Sequence, residues 1–182
     1  TQPSTENFYQ NETDALAALT AAYARLKSGM GYYKQQFMPT LFASSDQGLS
    51  TYLYNEFKRG IVTSTNQSLN NLWKELYLGI REANNVIANV PEIEMDEELK
   101  NRIIGEAKFL RALHYFNLVR CFGEVPLRTT PVEAGDDQGL AVSSIVEIYD
   151  SIIDDLNYAS LHCWGTVSYT HLRAHETMCN LV

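Results

Sequence analysis

The sequence predicts an all-α protein made of helical hairpins joined by long loops. Three observations carry that expectation. Apolar residues recur at helical spacing in four separate stretches. The two longest of these are joined only by the link PEIEM, too little chain for anything but an antiparallel return. No pair of alternating apolar and polar runs flanks a hairpin-type turn.

The first helix is expected to be capped by Asn11 or Thr13 and to bury Leu16, Leu19, Tyr23 and Leu26, ending at Gly29 and Gly31. Residues 30–66 lose this period. Gly, Ser, Thr and Asn are frequent there, interleaved with Tyr32, Tyr33, Phe37, Phe42, Tyr52, Tyr54 and Phe57, which reads as a long structured loop with one short helix. Loops of that length inside a domain usually serve function. A second helix runs from about Ser68 to Val90, with Leu69, Leu72, Trp73, Leu76, Ile80, Ala83, Ile87 and Val90 as its apolar stripe, and Pro91 stops it. The third starts near Asp96 and ends at Gly123, where glycine supplies a left-handed cap and Pro126 blocks continuation. The fourth begins at Ser144, with Glu147 closing a capping box, and buries Ile145, Ile148, Tyr149, Ile152, Leu156 and Ala159. Antiparallel hairpins of this size resemble tetratricopeptide-type units, which bury their apolar faces by stacking on neighbours.

Composition narrows the function. The chain has 182 residues, 45% hydrophobic and 20% charged, enough for one ordered core. Its net charge of −8 argues against a nucleic-acid surface, which needs clustered Lys and Arg. No window offers the roughly 18 to 20 apolar residues of a membrane span, and the start TQPSTENFYQ has neither Met nor an apolar signal core, so the true N-terminus is expected to lie upstream or to be processed. Cys121, Cys163 and Cys179 are odd in number and lack metal-type spacing, so no disulfide framework or zinc site follows.

The densest stretch is EAKFLRALHYFNLVRCFGEVPL, residues 106–127. Lys108, Arg111, His114, Asn117 and Arg120 recur every third position, and three residues fall about 60° short of a helical turn, so this polar line winds around the helix. Apolar residues cover the rest of the circumference, as in a helix buried within a bundle. Truncating Leu113 or Phe116, if buried, would cost roughly 2–5 kcal/mol. Glu106 and His114 are two turns apart, about 12 Å along the axis, and cannot act on one bond together. Glu106 and Arg111 are expected to be structural ion-pairing or capping groups and His114 an ordinary helix residue, so no catalytic residue is assigned. No nucleophile elbow, P-loop or dinucleotide fingerprint occurs.

Near the C-terminus His171 and His175 stand four apart with Glu176 beside the second, a spacing that would put both imidazoles on one helical face. The order is not H-E-x-x-H, because no Glu follows the first His. VSYTHLRAHETMCNLV, residues 167–182, instead resembles one forward reading frame of a widely used transposase sequencing adapter, with Met178 and Cys179 in its variable index. The expected organisation is a helical domain over residues 1–166 and a non-native, adapter-derived tail over 167–182, with no metal site and no cofactor.

EAKFLRALHYFNLVRCFGEVPL also resembles the hallmark of the SusD/RagB family, the outer-membrane glycan-binding lipoproteins of Bacteroidetes, whose pattern is matched by Glu106, Ala107, Phe109, Leu110, Arg111, Ala112, Tyr115, Phe116, Leu118, Phe122, Gly123, Val125, Pro126 and Leu127. ETDALAALTAAYARL is similar to that family's first helix, LWKELYLGIREANNVI to its W-x-x-x-Y-x-x-I-x-x-A-N-x-V-I helix, and SSIVEIYDSIIDDLNYA to a later helix. The resemblance covers residues 6 to about 161 and implies the N-terminal part of a SusD-like fold. It implies a protein that is not an enzyme but binds glycans at the surface of the cell outer membrane and passes them to a SusC-like TonB-dependent transporter. The lipid-bearing cysteine that would anchor it is absent from this chain. Glycan sites use aromatic platforms against sugar C–H faces and carboxylates or amides for hydroxyls, and FASSDQGLSTYLYNEF, residues 42–57, has that chemistry. Asp46 stands where the family carries an S-D pair and is the leading ligand candidate, with Tyr52 and Tyr54 as platforms. The alternative is that these aromatics pack the loop onto the helices. Trp73, on the apolar stripe, reads as core. A rival function is a helical-repeat scaffold that grips partner proteins.

Overall fold

A computed structural model describes residues 8–27, 37, 55–132 and 139–163. The described chain is helical: α1 (Glu12–Ala24), the short α2 (Asn55–Lys58), α3 (Gln67–Asn89), α4 (Glu97–Phe122) and α5 (Ile145–His162). Among the described residues the only β-type pairing is an isolated antiparallel bridge between Val125 and Ser143.

Capping sets the helix starts. Asn11, not Thr13, caps α1, its side chain accepting from the Asp14 N–H. Asn66 caps α3 through the N–H groups of Ser68 and Leu69, so this helix starts ahead of Ser68. Asp96 accepts from Leu99 N–H at 2.9 Å, and Glu97 and Glu98 add charge that favours the N-terminus of α4. Ser144 and Glu147 form the expected capping box on α5. Gly123 ends α4 with φ +73° but ψ −129°, so it lies outside the left-handed helical well and in a region that glycine alone enters readily.

α4 is the central rod. α3 and α5 both run antiparallel to it, and α1 lies across the α3/α4 pair. One core forms where Leu72, Leu76 and Ile80 of α3 meet Ala112, Tyr115, Leu118 and Val119 of α4 and Ile148, Ile152 and Leu156 of α5. A second forms at the closed end of the hairpin, where Ala15, Ala18, Leu19 and Ala22 of α1 cover Val86, Val90, Ile103, Ala107 and Leu110. Val90–Glu92 is a 3₁₀ turn, and the link folds back over the buried Ile93.

Three expected core positions differ. In α1 the buried face is Ala15, Ala18, Leu19 and Ala22, while Leu16 and Tyr23 are 36% and 38% exposed. Small side chains let α1 approach its neighbours closely, which turns the larger residues outward. Ile145 is exposed in the first turn of α5, where no described neighbour covers it. Leu113 and Phe116 are half-buried, so their truncation falls at or below the low end of the range for buried apolar residues. Val146, Ile153 and Leu161 are exposed along α5 as well.

At Gly79, α3 lies close against α4. A Cβ built there would overlap the imidazole of His114, which is fully buried. We expect Gly79→Ala to destabilise the bundle by about 1–3 kcal/mol through overpacking, read as a lower urea midpoint with an unchanged slope; an unaltered midpoint would refute this packing.

Candidate functional site

The most developed polar constellation joins α3, α4 and α5. Arg111 is 5% and Asp155 3% exposed. Arg111 Nε donates to Asp155 Oδ2 at 2.7 Å and Nη2 to Asp155 Oδ1 at 2.8 Å, the paired geometry in which a guanidinium and a carboxylate bind most strongly. Lys108 Nζ adds a longer contact to Asp155 Oδ1 at 3.2 Å and lies over the Tyr158 ring. The third guanidinium nitrogen, Nη1, donates to Asn84 Oδ1 and to the Thr129 carbonyl, both at 2.8 Å.

This network fastens the segment that leaves α4. Asn84 Nδ2 donates to the carbonyls of Arg128 and Thr130 at 3.0 and 3.1 Å. Tyr115 OH donates to the Arg128 carbonyl at 2.9 Å and accepts from the Arg128 N–H at 2.7 Å, and Tyr77 OH donates to the Pro126 carbonyl at 2.8 Å. Irregular backbone from Pro126 to Thr130 can thus lie against the bundle without leaving these polar groups unmatched. Burial pushes the Tyr115 phenol up to about 12 and raises that of Tyr77, so both stay protonated and keep their donor role at neutral pH.

Glu106 acts structurally, as expected. It accepts from Arg102 Nε at 3.0 Å and from Tyr23 OH at 2.9 Å, tying α1 to α4. Cys163 lies nearby, and burial followed by the Glu106 charge pushes its thiol up to about 11, which removes nucleophilic character. His114 is more constrained than an ordinary helix residue: burial pulls its pKa down to about 4, leaving it neutral. Among the described residues no group of three or more His, Cys, Asp or Glu side chains could hold a metal, and no helix is long and apolar enough to cross a membrane.

The ligand candidates Asp46, Tyr52 and Tyr54 lie outside the described residues, as do His171 and His175. Trp73 is half-buried against Tyr77 and Phe122, with ring centroids 5.0 Å apart in each pair, and packs on the core. Sequence reasoning had Arg111 but missed its partners Asn84 and Asp155. The available signal was position: Asn84 falls four residues after Ile80 and Asp155 three after Ile152, so each is a polar group on a stripe that has to be buried.

These features define an antiparallel helical-hairpin protein whose buried polar groups hold backbone in place. A SusD-like family model, described as starch-binding and associating with the outer membrane, matches residues 2–177. The chain therefore belongs to the SusD-like family. A SusD-like protein of Formosa agariphila is 29% identical over 169 residues, covering 86% of this chain and 32% of that protein. A solved laminarin-binding SusD-like protein superposes with a TM-score of 0.74 at 34% identity, covering 83% of this chain and 34% of that one. A structure determined with a xylogluco-oligosaccharide gives 0.71 at 28% identity, covering 83% and 31%. The chain spans about a third of the length of the curated relatives it matches.

Asp155→Leu or Arg111→Met alone is expected to cost about 3–5 kcal/mol, because each leaves a buried charge without its paired partner. Combining Arg111→Met with Asp155→Leu should cost clearly less than the two single changes added together; additive urea-denaturation losses would argue against a coupled pair. For His114 the unfolded state binds the proton more readily, so its contribution is complete above an unfolded pKa of about 6.5 and is lost as pH falls towards about 4. The unaltered chain should lose about 2 kcal/mol between about pH 7 and about pH 5 from this group. His114→Leu should flatten that slope, and an identical pH profile for both proteins would contradict it.

Proposed function

We propose that this chain is the N-terminal part of a surface glycan-binding lipoprotein, a binding protein and not an enzyme. It captures oligosaccharides at the cell outer membrane and delivers them to a SusC-like TonB-dependent transporter, with membrane attachment through a lipid anchor outside this chain. The observation that carries the reading is family membership over nearly the whole chain, joined to structural likeness to a laminarin-binding SusD-like protein. The relative solved with a xylogluco-oligosaccharide supports the same ligand class.

Ligand contact is assigned to Asp46, Tyr52 and Tyr54. A carboxylate between aromatic side chains suits a sugar, whose C–H faces stack on rings while its hydroxyls donate to oxygen. No ligand contact is assigned to residues 167–182, of which 167–177 fall within the family match. A scaffold that grips partner proteins is the second reading, and the exposed Val146, Ile153 and Leu161 along α5 favour it for that face.

Titration of the chain with laminari-oligosaccharide and with xylogluco-oligosaccharide tests the proposal. Asp46→Ala or Tyr52→Ala should each weaken binding about tenfold or more, the size of one charge-assisted hydrogen bond or one stacked ring, and deletion of 167–182 should leave it unchanged. Binding that ignores both substitutions would remove the site assignment, and a protein partner held equally well by both variants would favour the scaffold.

A further inference from the structure

α5 has two apolar faces, and α4 uses only one of them. Ile148, Ile152, Leu156 and Ala159 are buried, and the helix packs chiefly on α4. On the opposite side Val146, Ile153 and Leu161 are 69%, 38% and 79% exposed. Their spacings of seven and eight residues are each close to two helical turns, so the three form one ridge along the helix. Three exposed carboxylates, Glu147, Asp150 and Asp154, run beside and within that ridge, and α5 contains no Lys or Arg. Among the described residues neither Asp150 nor Asp154 has an ion-pair partner.

Helical hairpins stacked in a row need a polar outer face at each end, because an apolar one would meet water. The ridge of α5 is not such an end. We propose that it is the seat of a further helix, supplied by the part of the longer protein C-terminal to this chain, with Lys or Arg along the edge that meets Glu147, Asp150 and Asp154. This rests on the reading of the chain as an N-terminal part. The chain covers 32% of each of two curated relatives, which leaves ample polypeptide for such a helix. The charge of the occupant follows from desolvation: covering the ridge draws the carboxylates out of water, and only cationic groups opposite them offset that cost. A second copy of this chain is the poorer fit. It would set the same three carboxylates against their own kind, with no base on either helix.

Synthetic peptides of 18 residues, the length of α5, test this chemistry on the full 182-residue chain. Two are amphipathic helices with a leucine ridge, one edged with lysine and the other with glutamate; a third scrambles the lysine-edged sequence. The lysine-edged helix should bind at least about tenfold more tightly than either of the others. Val146→Gln with Leu161→Gln should weaken it about tenfold or more and leave the urea midpoint of the chain unchanged, since both side chains are exposed. Asp150→Lys with Asp154→Lys should turn the preference towards the glutamate-edged helix. A scrambled peptide that binds equally well, or binding indifferent to Val146 and Leu161, overturns the seat. Self-association of the chain that those substitutions abolish overturns it in favour of a second copy.

The source of the helix is tested on the protein expressed from its complete reading frame. There Val146→Gln with Leu161→Gln should lower the urea midpoint, whereas the 182-residue chain shows no shift. An unchanged midpoint in the longer protein overturns the intramolecular occupant and gives the face to a separate partner. A reading frame that ends with this chain instead overturns the reading of it as an N-terminal part. Absence of glycan binding bears on the glycan reading alone and leaves the seat standing.

Discussion

The described structure depends on one buried ion pair, Arg111 with Asp155. Both charges are almost wholly removed from water, and such desolvation is offset only when geometry is good and the remaining polar sites are used. Here Nε and Nη2 meet the carboxylate in register and Nη1 serves Asn84 and a backbone carbonyl. A buried pair of this kind is weak evidence for net stability. Its effect is on choice among packings. If α5 slid by one turn along α4, Asp155 would leave Arg111 and two charges would be stranded in the core.

That constraint organises the rest. The apolar contacts among α3, α4 and α5 lack direction and would tolerate several arrangements, whereas the Arg111, Asn84 and Tyr115 bonds accept one. The same residues fix the path of Pro126 to Thr130, so helix packing and loop path are set together. On the opposite side the Glu106, Arg102 and Tyr23 contacts tie α1 to α4 at partly exposed positions, where ion pairs contribute little, and the buried alanine face of α1 packs against the same helix.

Much of the fold was legible because long amphipathic helices write a strong period into sequence. The hairpin, its PEIEM link and the Ser144–Glu147 box could all be read directly. α1 misled because it is apolar nearly all round, so its large residues suggested one face and its alanines packed on another. Asn84 and Asp155 escaped because a polar residue on an apolar stripe becomes meaningful only once its partner on another helix is known, and no local pattern carries that distance. The short helix α2 was anticipated, but not the role of Asn66: the following helix was expected to begin at about Ser68, and the contact of Asn66 with Glu56 spans ten residues. Asp46, Tyr52 and Tyr54 follow from chemical type and family likeness alone.

The manner in which Pro126 to Thr130 is secured bears on how such proteins diversify. The helices grip that stretch through main-chain oxygens and a single main-chain N–H, atoms that almost every amino acid supplies identically. Drift at Thr129 and Thr130, held through their carbonyls, therefore need not disturb that route, whereas Leu127 also packs its side chain on the core, and the gripping residues on the helices carry much of the selective burden. A surface built on such a track is free to change its chemistry without renegotiating its shape.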